Sequence, residues 1–143
     1  MTEPTFTDIR GKQYETVDSR VRRFRDDHPT GDISTQILVD DDTRVLMKAE
    51  ITIDEKRVAT GTAEEIRGSS NINQTSAVEN CETSAVGRAL GFAGYDAAGS
   101  IASADEVSRA IDQQQSTSFP PSQPGPSQAE SPGRKPGREV LPA

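Results

Sequence analysis

Apolar side chains recur at regular intervals along the middle of this chain, and the interval changes from one segment to the next. In residues 14–28 they return every three or four positions, which predicts an amphipathic helix, and they are Tyr14, Val17, Val21 and Phe24. Pro29 and Gly31 predict the end of that helix. From residue 32 onward the interval falls to two, which is typical of β-strands.

The alternation predicts three strands, at residues 32–40, 44–53 and 56–65. The second strand has one apolar and one polar face, as in an antiparallel sheet that is buried on one side; its apolar positions are Val45, Met47, Ala49, Ile51 and Ile53. Short acidic turns connect the strands and favour antiparallel pairing. The third strand carries a row of small residues on which a helix can lie closely, namely Ala59, Gly61 and Ala63.

A long helix is predicted after the strands. Ser76 and Glu79 have the spacing of a capping box, which indicates where it begins. Its apolar stripe comprises Val78, Cys81, Ala85, Ala89 and Phe92, with Val86 and Leu90 beside them. Gly91 and Gly94 indicate its end. A second capping box, at Ser103 and Glu106, opens a short helix that runs through Val107 and Ile111.

These elements define an α+β fold. We expect a three-stranded antiparallel β-meander packed by a long helix, which is a β-β-β-α core with an N-terminal helix in front of it. The boundaries are 1–13 for a flexible N-terminus, 14–111 for the folded domain and 112–143 for a disordered tail. That tail holds seven of the nine prolines and offers almost nothing apolar to bury. Burial would therefore not offset the conformational entropy that the tail would lose on ordering.

Composition narrows the class of protein. The 143 residues carry a net charge of −7, and the excess lies in residues 14–111, which argues against a binder that relies on overall basic charge. Only 31% of the chain is hydrophobic, so we expect a small core and self-association. The sequence shows no run of about 18 apolar residues and no secretory leader. We therefore expect a cytoplasmic protein without a membrane partner.

The sequence shows none of the residue arrangements that common catalytic and metal sites need. His28 is the only histidine and stands at the end of the first helix, where a solvated side chain explains it. The single cysteine, Cys81, has the character of a buried thiol. The glycine-rich segment 91–99 follows a helix, whereas a phosphate-binding loop follows a strand. We therefore expect no catalytic set, no metal and no cofactor, and we predict that the protein is not an enzyme.

Arg88 stands among small residues in the long helix. Its position lies near the rim of the apolar stripe, and Gly87 and Gly91 leave space around it for an approaching backbone. A guanidinium is suited to bidentate contact with phosphate. Pairing of a solvent-exposed Arg88 with Ser84 or a carboxylate is the alternative.

The segment SAVENCETSAVGRALGFAGYDAAGS resembles the signature helix of single-strand DNA annealing proteins, the Rad-fifty-two-like group and its phage relatives of the Sak type. The positions that match the family pattern are Ala85, Arg88, Ala89, Leu90 and Gly94. The predicted order of elements over residues 14–111 is also similar. The family has a lysine where this chain has Gly87.

The resemblance implies a ring or filament of identical subunits with a groove for single-stranded DNA. In that family the phosphate backbone is held, the bases are turned outward for pairing, and no nucleotide is hydrolysed. Arg88 and Arg20 match family arginines that line the groove. Sequence-neutral binding needs further positive charge, and the candidate residues for DNA contact are Arg20, Arg88, Lys48, Arg67, Arg23 and Arg57.

The predicted function is therefore binding and annealing of single-stranded DNA in phage-type homologous recombination, without ATP and as a homo-oligomer. Other recombination proteins are possible partners of the tail. Two alternatives stay open. One is a single-strand-binding protein that does not anneal, and the other is a non-enzymatic protein-interaction or assembly module of similar fold.

Overall fold

A computed structural model of the chain describes residues 2–68 and 71–116. An N-terminal β-hairpin leads into a helix, a three-stranded sheet and two further helices. The elements in chain order are β1 (Phe6–Ile9), β2 (Lys12–Glu15), α1 (Val17–Asp27), β3 (Asp32–Asp40), β4 (Arg44–Ile53), β5 (Lys56–Ile66), α2 (Asn71–Phe92) and α3 (Ala104–Ser116).

The sheet has the order β3-β4-β5 with antiparallel neighbours, so the predicted α+β class and its three-stranded antiparallel sheet are confirmed. Ile51 of β4 lies opposite Ile33 of β3 and Ala59 of β5. Asp54 and Glu55 connect β4 to β5 with φ angles of 52° and 66°. Two successive positive φ angles are typical of a tight two-residue hairpin turn, whose twist matches that of the strands.

Helix α2 covers one face of the sheet and closes the core. Gly61 lets it approach, because a Cβ at that position would lie 2.6 Å from the carbonyl oxygen of Ala85. Cys81 donates to the carbonyl oxygen of Ala63 at 3.2 Å, whereas Ala85 lies against Gly61, so α2 runs antiparallel to β5 and its C-terminal half lies towards the start of that strand. The fully buried apolar residues include Phe24, Val45, Ala49, Ile51, Cys81, Ala85, Ala89 and Leu90.

The N-terminal residues differ from the flexible segment that the sequence predicts. Residues 6–15 form a hairpin, β1–β2, whose turn at Arg10 and Gly11 has φ angles of 53° and 85°. Because residues 12–15 belong to β2, α1 begins at Val17 and not at Tyr14. Thr16 caps α1, since its side chain accepts a hydrogen bond from the backbone N–H of Ser19 at 3.1 Å.

Two element boundaries also differ from the prediction. The long helix starts at Asn71, and Ser76 interrupts it with non-helical dihedral angles (φ −136°, ψ 31°), at the position where the capping box placed its start. The last helix, α3, runs to Ser116 and so takes in five residues of the segment that the sequence assigns to the tail. The rest of the predicted tail, residues 117–143, lies outside the described residues.

Candidate nucleic-acid site

Arg88 and Phe92 lie one turn apart on the C-terminal half of α2. The guanidinium carbon of Arg88 is 5.5 Å from the centroid of the Phe92 ring, which is within the range of a cation–π contact. The Phe92 residue is 53% exposed, the most exposed of the large apolar residues in the described part of the chain. The sequence placed Phe92 in the core, because its position fits the apolar stripe, but the structure leaves its side chain outside the core cluster.

A carboxylate from α3 holds the guanidinium of Arg88 in place. Arg88 Nη1 lies 3.4 Å from Glu106 Oε2, and about a third of each side chain is exposed. The other carboxylate oxygen of Glu106 is buried and accepts no hydrogen bond from the described residues. The alternative reading of Arg88, a partly exposed arginine paired with a carboxylate, therefore describes its state in the free molecule.

The structure corrects the prediction that Arg20 contacts DNA. Its residue is 0% exposed, and its guanidinium points into the molecule. Two of its nitrogens donate to three carbonyl oxygens at 2.7 Å each, those of Gly87, Ser100 and Ile101. Arg20 therefore ties α1 to the residue before Arg88 and to the segment that leads into α3, and it has no surface with which to reach a ligand.

Arg23 has a structural role as well. It donates to both carboxylate oxygens of the buried Glu15 at 2.8 Å, and its guanidinium lies over the Tyr95 ring at 5.2 Å. Glu15 also accepts hydrogen bonds from Ser19 and from the backbone N–H of Ala97. Burial raises the pKa of Glu15, but these hydrogen bonds outweigh that effect and hold its pKa below the ordinary value.

The remaining predicted cations lie on other surfaces. Lys48 and Arg57 flank Glu50 on the open face of the sheet, with nitrogen-to-oxygen distances of 3.3 Å and 3.4 Å. Arg67 pairs with Asp40 at the end of the sheet that holds the β3–β4 turn. Because α2 covers the opposite face, the structure does not bring these three side chains together with Arg88 in one groove.

The glycines beside Arg88 are packing residues. A Cβ at Gly87 would lie 2.6 Å from a methyl group of Val17, and one at Gly91 would lie 2.9 Å from Arg20 Nη1. The sequence suggested that these glycines leave space for an approaching backbone. They instead allow α1 and the segment before α3 to approach α2, and this packing fixes the direction in which Arg88 and Phe92 point.

Two further titratable side chains, those of Cys81 and Tyr95, are buried. Cys81 is buried, as the sequence predicts, and burial raises the pKa of its thiol to about 11. Burial and the hydrogen bond to Asp27 raise the pKa of Tyr95 to about 12. Within 2–68 and 71–116 no group of three metal-ligating side chains occurs, and none of the helices there is both long and apolar enough to span a bilayer.

The fold defines the class as an α+β domain, and the family match adds a likeness to nucleic-acid-binding domains. Residues 21–93, just over half of the chain, match the family described as Slr1353 N-terminal dsRNA-binding domain-like, and the chain belongs to that family. The resemblance to single-strand DNA annealing proteins was therefore wrong as an assignment of family. No curated protein and no solved structure matches the chain.

Proposed function

We propose that this domain binds single-stranded nucleic acid, with Arg88 and Phe92 at the centre of its contact surface. The observation that carries the proposal is the exposed Phe92 ring with a guanidinium 5.5 Å from its centroid. A large apolar ring that is more than half exposed costs hydration free energy, and a base stacked on it would recover that cost. Membership in a family described as dsRNA-binding domain-like supports nucleic acid in general as the ligand, and the preference for a single strand rests on the exposed ring alone.

The ring favours a single strand over a duplex. In a double helix the faces of the bases are stacked on one another, so a flat aromatic side chain on a helix surface finds no free base to cover. In a single strand each base has a π-face that an aromatic or arginine side chain can stack on, whatever its identity. Arg88 can contact the neighbouring phosphate with nitrogens that Glu106 does not use.

The charge of the molecule sets a limit on affinity. The full chain has 23 acidic and 16 basic residues, so long-range electrostatics oppose the approach of a polyanion. Stacking on Phe92 does not depend on charge. We therefore expect modest affinity with a shallow dependence on salt, because few phosphates are neutralised.

Annealing of complementary strands by a homo-oligomer, and a role in recombination, stay predictions. Phe92 would hold a base by its face, which leaves the pairing edge of that base open. Acceleration of duplex formation from two complementary labelled strands, without nucleotide, measures whether the protein anneals or only binds.

The test compares four variants on a labelled oligothymidylate and on a duplex of the same length. Phe92→Ala should weaken single-strand binding by about 1–3 kcal/mol, which is about fivefold to more than a hundredfold, and Phe92→Tyr should restore it. Arg88→Ala should lower the salt slope by about 0.7, the value for one phosphate contact on a single strand. Arg22→Ala removes an exposed arginine of α1 that pairs with Asp18, and it serves as the control.

Equal binding by Phe92→Ala, Arg88→Ala and the unsubstituted protein would show that Arg88 and Phe92 are not the binding site. Tighter binding of the duplex than of the single strand would contradict the proposed preference for single-stranded nucleic acid.

A protein-interaction module is the second candidate, because four large apolar residues that are 44–49% exposed lie on the two edge strands. They are Ile37 and Leu38 on β3 and Val58 and Ile66 on β5. Exposed edge strands with apolar side chains invite pairing with another chain. Failure to retain any nucleic acid, together with an oligomer that Leu38→Lys dissociates, would favour this reading.

A further inference from the structure

Most basic side chains in this domain are neutralised within the molecule. Within residues 2–68 and 71–116, nine arginine and lysine side chains lie within 4 Å of a carboxylate oxygen. Arg10 and Lys12 make no such pair, and they stand on either side of Gly11 at the tip of the β1–β2 hairpin. This tip is the one place in the described chain where two unpaired cations lie within three residues of each other.

The hairpin presents these cations on a defined frame. Four residue pairs join β1 to β2, from Phe6 opposite Glu15 to Ile9 opposite Lys12. Asp8 closes the tip, since its two carboxylate oxygens accept from the backbone N–H of Gly11 at 3.0 Å and from the side chain of Gln13 at 3.3 Å. The only carboxylate of the tip is therefore engaged in shaping the turn.

The base of the hairpin is fixed to α1, whereas the tip is exposed. The backbone N–H of Thr5 donates to Ser19 Oγ at 2.9 Å, and the N–H of Thr16 donates to the carbonyl of Thr5 at 3.1 Å. Arg10, Gly11 and Lys12 are all exposed. The Lys12 ammonium lies 5.3 Å from the centroid of the Tyr14 ring, which steadies it without removing its charge.

We propose that the tip of the β1–β2 hairpin is a second nucleic-acid contact, which binds the phosphodiester backbone through Arg10 and Lys12. An unpaired cation gains more from a phosphate than a paired one does, because no internal ion pair has to be given up. A phosphate that displaces condensed counterions also gains their release. A two-stranded ribbon is narrow enough to follow a backbone or to enter a groove.

The site uses residues other than the Arg88 and Phe92 pair, and it extends the proposed function to a second element. The two contacts differ in kind, since stacking at Phe92 needs a free base whereas the hairpin needs only phosphates. The hairpin is therefore expected to bind single strands and duplexes alike, and to account for most of the salt dependence of binding.

The experiment measures the salt dependence of binding to oligothymidylate for the full chain and for the double variant Arg10→Gln with Lys12→Gln. Loss of two phosphate contacts should lower the slope of log affinity against log salt by about 1.4. The matched control is Lys56→Gln, since Lys56 is an exposed cation at the start of β5, beside the β4–β5 turn, and pairs with no carboxylate among the described residues. Circular dichroism of each variant confirms that the fold is kept.

The outcomes separate this proposal from the proposed function. A reduced slope in the double variant, with Lys56→Gln unchanged, supports the hairpin contact even if Phe92→Ala binds normally and the stacking site fails. An unchanged slope in a double variant that still binds would overturn it. Unaltered nucleic-acid binding with loss of binding to vesicles of phosphatidylserine, or with loss of self-association, would also overturn it, because the partner of the tip would then be a membrane or a second copy.

Discussion

Four arginines lie within six residues of α1, and their side chains have different environments. Arg20 is fully buried, 20% of the Arg23 side chain is exposed, and 66% of the Arg22 side chain is exposed. Arg25 is exposed and donates to the carbonyl oxygen of Gly31. Arg20 and the partly buried Arg23 pair with Glu15, and Arg20 also satisfies three backbone carbonyls, so half of the arginines on this helix have structural roles.

We expect Arg20→Ala to unfold the domain more readily, by about 3–5 kcal/mol, because it leaves buried carbonyls and part of the Glu15 charge without a partner. Arg22→Ala should change stability by no more than about 0.5 kcal/mol, since its ion pair is exposed. Urea denaturation followed by circular dichroism measures both. If Arg20→Ala kept the unfolding midpoint and lost only nucleic-acid binding, Arg20 would be the ligand contact that the sequence predicted.

The roles of these residues depend on information that one sequence does not contain. Periodicity placed Arg88 near the rim of the helix, where the structure has it, because the helical repeat determines the angle between neighbours. It did not show that Arg20 is buried, because a shift of one residue in the start of α1 exchanges the exposed and buried arginines. Phe92 continues the apolar stripe in the sequence, so its exposure becomes visible only when the tertiary packing around the end of α2 is known.

At the scale of elements, strong alternation was sufficient for prediction and weak alternation was not. β4 alternates between buried and half-buried residues along most of its length, and the three strands were placed within one residue. The β1–β2 hairpin has only one buried position, Glu15, and its turn lacks the Asn-Gly or Asp-Gly pair that usually marks such hairpins. It is held by its own strand pairing and by a hydrogen bond from Thr5 to Ser19 of α1, and a tertiary hydrogen bond of this kind has no sequence signal.

The contact between α2 and β5 rests on Gly61, and we expect Gly61→Ala to separate these elements. The new Cβ would lie 2.6 Å from the carbonyl oxygen of Ala85 and closer still to the backbone nitrogen of Ala89, so the helix must shift. Overpacking of this kind costs about 1–3 kcal/mol or more. Thr62→Ala on the opposite face of β5 is the control, and urea unfolding should show a lower midpoint for Gly61→Ala alone. Equal midpoints would mean that α2 is not held against the sheet at this point.

At the scale of the whole molecule, positive and negative charge occupy different places. The end of the sheet at the β3–β4 turn carries Asp40, Asp41 and Asp42, and the neighbouring Arg67 neutralises only the first of them by an ion pair. The C-terminal half of α2 lies towards the other end, and the hairpin tip carries two cations without partners. A nucleic acid would therefore be repelled by the acidic end of the sheet and attracted at the hairpin tip, so the acidic residues should slow its association.

We expect Asp42→Lys to speed the association of a single strand without changing its dissociation, because Asp42 is exposed, makes no ion pair among the described residues and lies away from Phe92. Reversal of this one charge, which changes the net charge by two units, should raise the association rate constant by about two- to tenfold at low salt. The effect should fade once the screening length drops towards about 3 Å near 1 M salt. Stopped-flow fluorescence with labelled oligothymidylate separates the two rate constants, and Asp42→Asn should give a smaller effect of the same sign.

A slower dissociation in Asp42→Lys would instead place the β3–β4 turn in direct contact with the strand. An unchanged association rate would show that local contacts outweigh the acidic body throughout the approach.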